Sequence, residues 1–76
     1  MVHGTIQHLQ PGHAGGHGVG WIAPDGGGRS VYFYAPGVEG HLFYQLRVGQ
    51  RVAFEVHRDP RDPLDLRAVH VHRLAE

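Results

Sequence analysis

The sequence predicts an all-β chain of five short strands, forming a small barrel or sandwich. Two observations predict it. Twelve glycines and five prolines in 76 residues break every run before a durable helix can form. Between the breaks, apolar residues alternate with period two.

The first strand is expected over Thr5 to Gln10, followed by a long flexible loop, Pro11-Gly12-His13-Ala14-Gly15-Gly16. Val19 to Ala23 gives a second strand, ended by the turn residues Pro24-Asp25-Gly26-Gly27-Gly28. Val31 to Tyr34 gives a third, and the Asp-Gly turn joins the two as an antiparallel hairpin. Ala35 to Gly49 is a long connection in which Leu42-Phe43-Tyr44-Gln45-Leu46 has room for one helical turn. Arg51 to His57 is a fourth strand, with Val52, Phe54 and Val56 on one face and Arg51, Ala53 and Glu55 on the other. Asp59-Pro60-Arg61-Asp62-Pro63 turns the chain into a fifth strand, Ala68 to Leu74, with Val69 and Val71 inward. Neither a repeat nor a change in composition divides residues 1–76, which are read as one domain.

Composition narrows the functions. There is no cysteine, which removes disulfides and thiolate metal sites and fits a reducing, cytoplasmic setting. The opening Met-Val-His-Gly-Thr lacks the pattern of a signal peptide, and no run approaches the ~20 apolar residues of a membrane span, so no membrane partner is expected. Seven acidic residues balance seven arginines, and lysine is absent, so any attraction to phosphate must come from local placement. One serine, one threonine and no lysine or cysteine leave almost no nucleophiles, and no enzyme activity is expected. Gly18-Val19-Gly20-Trp21-Ile22-Ala23 superficially matches a dinucleotide-binding glycine pattern. That pattern needs a helix at the glycines, which Pro24 and its three following glycines oppose, so no cofactor is expected.

The central hairpin carries the informative pattern. If Ile22, Val31 and Phe33 point inward, then Trp21, Tyr32 and Tyr34 stand together outside. Alternation leaves two uses open for these rings: a surface on which bases stack, or tyrosines at home on a barrel rim.

Five segments in order resemble the cold-shock domain. His17-Gly18-Val19-Gly20-Trp21-Ile22 resembles its K-G-F-G-F-I motif, and Val31-Tyr32-Phe33-Tyr34-Ala35 its V-F-V-H-F motif. Gly4-Thr5-Ile6 resembles the G-T-V opening and Pro24-Asp25-Gly26 the turn between the motifs. Leu46-Arg47-Val48-Gly49-Gln50-Arg51-Val52-Ala53-Phe54-Glu55-Val56 resembles L-x-E-G-Q-x-V-x-F-x-V. The likeness runs from Gly4 to Leu74. It implies a five-stranded antiparallel Greek-key barrel of the oligonucleotide-binding (OB) type that holds single-stranded RNA or DNA on its second and third strands, as RNA chaperones or modulators of gene expression do.

Carried over by position, the resemblance implies nucleic-acid contacts at His8, His17, Val19, Trp21, Tyr32, Tyr34, Phe43 and Arg61. Trp21 and Tyr32 replace phenylalanines, Tyr34 replaces the motif histidine, Phe43 falls where a loop aromatic caps a base, and Arg61 matches the basic residue of a K-G-P turn. His8 replaces a tryptophan, Val19 a phenylalanine, His17 and Gln7 lysines, and Ser30 an aspartate that reads base edges. With stacking worth about 1–3 kcal/mol per base, these losses predict weaker binding than is usual for the family. The alternative is a barrel whose face serves a protein partner or a homodimer, since exposed Trp, Tyr and Phe also suit interface centres.

Strict alternation puts His8 on the same face as Ile6, so His8 reaches the aromatic face only if the first strand bends or bulges. His70 and His72 alternate onto one face of the last strand. With no cysteine and no carboxylate at helical His-x-x-x-His-type spacing, the histidines are read as solvated side chains rather than metal ligands. Imidazoles beside the aromatic face would draw phosphate more strongly as pH falls from about 7.5 to 6.

Overall fold

The computed structural model describes residues 1–12, 18–35, 38 and 43–74, with backbone alone at residues 44, 59 and 62–64. Five strands form a closed barrel: β1 (Val2–Gln10), β2 (Val19–Pro24), β3 (Val31–Tyr34), β4 (Arg51–Asp59) and β5 (Asp62–Arg73). Around the barrel their order is β1-β2-β3-β5-β4, and β4 returns to pair with β1. Four ladders are antiparallel, while β3 meets β5 in parallel at Tyr32 and Arg67. Closure gives every strand a neighbour on both sides, although among the described residues β3 and β5 meet at one residue pair alone. Among the described residues no helix is long and apolar enough to cross a membrane.

The β2–β3 hairpin follows the expected pattern. Ile22 pairs with Val31 and Gly20 with Phe33, and Ile22, Val31 and Phe33 lie buried with Ile6, Val52, Phe54 and Val71. At the turn, Gly27 N–H donates to the Pro24 carbonyl (3.1 Å), and Gly27 and Gly28 take φ values of 84° and 92° that side chains rarely adopt. The expected helical turn is a single 3₁₀ turn, Phe43–Gln45, closed by the bond from Leu46 N–H to the Phe43 carbonyl (3.1 Å).

β4 and β5 depart from strict alternation. Ala53, expected outside, is 2% exposed, and Val56, expected inside, is 40% exposed. Opposite them, Val69 is only half-buried, whereas Ala68 and Val71 are buried. In β5 the cause is a bulge: Ala53 pairs with His72 and Glu55 with Val69, so two residues of β5, His70 and Val71, oppose Phe54 alone. His70 takes the strain with φ 53°, the sole non-glycine with positive φ among the described residues. Hence His70 and His72 are not spaced by simple alternation; His72 Nδ1 lies 3.1 Å from the His70 carbonyl instead.

Candidate nucleic-acid interface

A bulge also shapes β1. Ile6 pairs with Ile22, but His8 pairs with Trp21, so Gln7 is the extra residue. The slip turns His8 outward while Ile6 stays in the core, which is the bend the alternation argument required. The Ser30 hydroxyl donates to the Gln7 side-chain carbonyl and ties the bulge to the entrance of β3.

With His8 turned out, one row crosses the barrel wall. His8 on β1 pairs with Trp21 on β2, Trp21 with Tyr32 on β3, Tyr32 with Arg67 on β5, and Arg67 with His57 on β4. Strands spaced about 4.8 Å apart make this row nearly 20 Å long. The His8 and Trp21 ring centroids are 5.2 Å apart with planes at 46°, and Tyr32 and Tyr34 meet edge to face at 5.4 Å. Both geometries are favourable aromatic pairings. Trp21 and Tyr32 are half-buried and Tyr34 is 43% exposed, so the rings keep open surface. Val19, half-buried, sits between Gln10 and Tyr34 in the adjoining row.

Polar groups frame the rings. Tyr32 donates its hydroxyl to Asp65 Oδ2 (2.8 Å), and Asp65 precedes Arg67 by two residues on β5. That bond, with desolvation and the carboxylate charge, pushes the Tyr32 phenol up to about 12. At the edge of the barrel Arg51 binds Asp25 (Nη2 to Oδ2 2.6 Å) and donates to Thr5 Oγ1 (3.2 Å). The same contact holds the Asp25 carboxyl below its ordinary value. Farther along β4 and β5, the Glu55 carboxylate faces His57 (3.9 Å) and His70 (3.7 Å), all at exposed positions. Among the described residues no cluster of His, Cys, Asp or Glu is arranged to hold a metal ion.

The structure therefore brings together His8, Trp21, Tyr32 and Tyr34, with Val19 alongside. Phe43 is a correction. Expected to cap a base from an exposed loop, it is 4% exposed, in the core with its ring centroid 5.9 Å from that of Phe33. Gly18 makes the room: a Cβ there would collide with the Phe43 ring. Arg61 is exposed at the β4–β5 turn, six residues from Arg67, or about 20 Å of extended chain. His17 and His13 lie outside the described residues. Sequence reasoning missed Arg67 and Asp65, because β5 begins at Asp62 rather than Ala68. Pro63 disguises that start, and only the parallel meeting of β3 and β5 reveals the pair.

A closed five-stranded barrel of this order, with an outward aromatic row on β2 and β3, is the cold-shock form of the OB fold. Comparison with known proteins agrees. The chain is 41% identical over 61 residues to the cold shock-like protein CspA of Stigmatella aurantiaca, covering 80% of this chain and 84% of that one. It is 37% identical over 46 residues to the probable cold shock protein A of Mycolicibacterium smegmatis, covering 60% and 69% respectively. Against the cold shock-like protein CspD of Escherichia coli it is 34% identical over 44 residues, spanning 60% of that relative's length. No family model matches the chain. On the strength of these relatives and the barrel, the chain belongs to the cold-shock protein family.

Proposed function

We propose that this chain binds single-stranded RNA or DNA in the cytoplasm, stacking bases on Trp21, Tyr32 and Tyr34 with His8 extending the platform. In this role it acts as an RNA chaperone or modulator of gene expression. The observation that carries the reading is the cross-strand row His8–Trp21–Tyr32, which lines up three flat side chains on adjacent strands. Such a platform accepts any base, because every base has a π face, at about 1–3 kcal/mol per stacked base. Arg67 continues the row beyond Tyr32 and supplies a guanidinium for phosphate.

Two features support weak binding. Phe43 is spent on the core, and Asp65 places a negative charge beside the rings. Trp21 is the sole tryptophan, so its fluorescence reports on the platform directly. Titration with oligo-dT or oligo-U should quench it, and added salt should weaken the effect as counterion release requires. Tyr32→Ala should weaken the titration while leaving the β-sheet circular dichroism intact. No quenching at tens of micromolar, together with dimers on a sizing column, would replace this reading with self-association.

A further inference from the structure

The Tyr32–Asp65 pair does more than orient a ring. We infer that Asp65 is a base-selecting residue, an acceptor at the edge of the stacking platform that favours cytosine over thymine or uracil. The inference rests on the proposed stacking face and assigns it a specificity.

The placement follows from the β3–β5 contact. Tyr32 is the register partner of Arg67, and period two puts Asp65 on the same outer face as Arg67. The Tyr32 hydroxyl takes one lone pair of Oδ2. A carboxylate has about four such positions, and among the described residues no other hydrogen bond or ion pair engages Asp65. Asp65 is half-buried, so its charge is neither lost in bulk water nor neutralised by a partner. A carboxylate beside a polyanion is unfavourable unless a donor from the nucleic acid meets it.

Bases differ in what they bring. Cytosine carries the N4 amino donor where thymine and uracil carry the O4 acceptor. Thymine and uracil also carry an N3–H donor where cytosine has a bare N3, but that donor is flanked by the O2 and O4 acceptors, whereas the cytosine amino group has one N–H directed away from N3. Against Asp65 the amino group completes a charge-assisted bond, whereas a bond to the thymine or uracil N3–H brings O2 and O4 against the carboxylate. The expected preference is about tenfold, within the range for one well-made base contact.

The test is Trp21 quenching by short oligo-dC and oligo-dT of equal length at neutral pH and fixed salt. The wild-type chain should bind oligo-dC about tenfold more tightly. Asp65→Asn keeps an acceptor for the Tyr32 hydroxyl but exchanges charge for amide donors, and should bring the ratio to one or below. Tyr32→Phe keeps the ring but releases the carboxylate from its hydrogen bond, so it should lower oligo-dC affinity more than oligo-dT affinity and shrink the ratio. A purely structural Asp65 would move both affinities together and leave the ratio unchanged, which overturns the inference. So does measurable binding of both oligomers with no wild-type preference, which leaves the stacking face intact. Quenching by neither rejects the stacking face and the selectivity with it.

Discussion

The imidazole of His8 packs against the indole of Trp21 at 5.2 Å because Gln7 bulges out of β1. Without that extra residue the family-typical aromatic position would face the core. The contact couples a titratable ring to the fluorophore of the proposed site. Affinity for oligo-dT should therefore rise as pH falls from about 7.5 to 6, the range in which histidines ordinarily gain charge and attract phosphate. His57 lies in the same row, and the carboxylates of Asp65 and Glu55 lie near it. His8→Gln should shrink the rise. A flat titration at constant salt would contradict the role given to His8.

The Tyr32–Asp65 bond has its own signature. Tyr32 should ionise near 12, about two units above an ordinary tyrosine, and Asp65→Asn should bring it down. The sign follows from linkage. A phenol raised in the folded state stabilises the fold fully below pH 10.0, and the contribution disappears as pH climbs through about 12. Tyrosinate absorbance against pH, compared with Tyr32→Phe, isolates this step. Ionisation of Tyr32 near 10 would mean the bond does not persist in solution.

Phe43 belongs to the core, so its loss should register as stability. Phe43→Ala should destabilise the barrel by about 3–5 kcal/mol, enough to unfold much of a domain this small. Gly18→Ala and Gly20→Ala probe the same packing from the other side. A Cβ at Gly20 would meet the Phe33 ring, with Cε1 at 2.6 Å, and Leu9 at 3.1 Å, so about 1–3 kcal/mol should be lost to overpacking. Urea unfolding measures each. A Phe43→Ala variant of native stability that binds poorly would return Phe43 to the interface.

Asp25 and Arg51 join the β2–β3 turn to β4. The Asp25 carboxyl is lowered in the folded state, so this pair stabilises fully above its ordinary value of 3.8 and fades as pH falls through the lowered one. Asp25→Asn should cost stability at neutral pH, and the difference from wild type should vanish under strong acid. A difference that is independent of pH would assign the effect to the turn backbone instead.

Much of this was legible in the sequence. Period two placed Ile22, Val31 and Phe33 inside and Trp21, Tyr32 and Tyr34 outside, and the conflict at His8 called for a bulge that β1 contains. Other features have no local signal. Nothing in Val69-His70-Val71 announces that two residues will face Phe54, because the strain at His70 is set by barrel closure. Phe43 looked like a loop aromatic, since the space that receives it is made by Gly18, 25 residues earlier. Asp65 and Arg67 gain meaning only through a parallel contact with a strand some thirty residues upstream.

The most direct test maps contacts on the folded chain by amide and indole NMR shifts during titration with oligo-dT. The account predicts that the largest changes fall on the Trp21 indole N–H and on the backbone of His8, Tyr32, Tyr34 and Arg67. It predicts little change near the exposed Val48 and Val56. Shifts concentrated at those valines, or none at the indole, would contradict it.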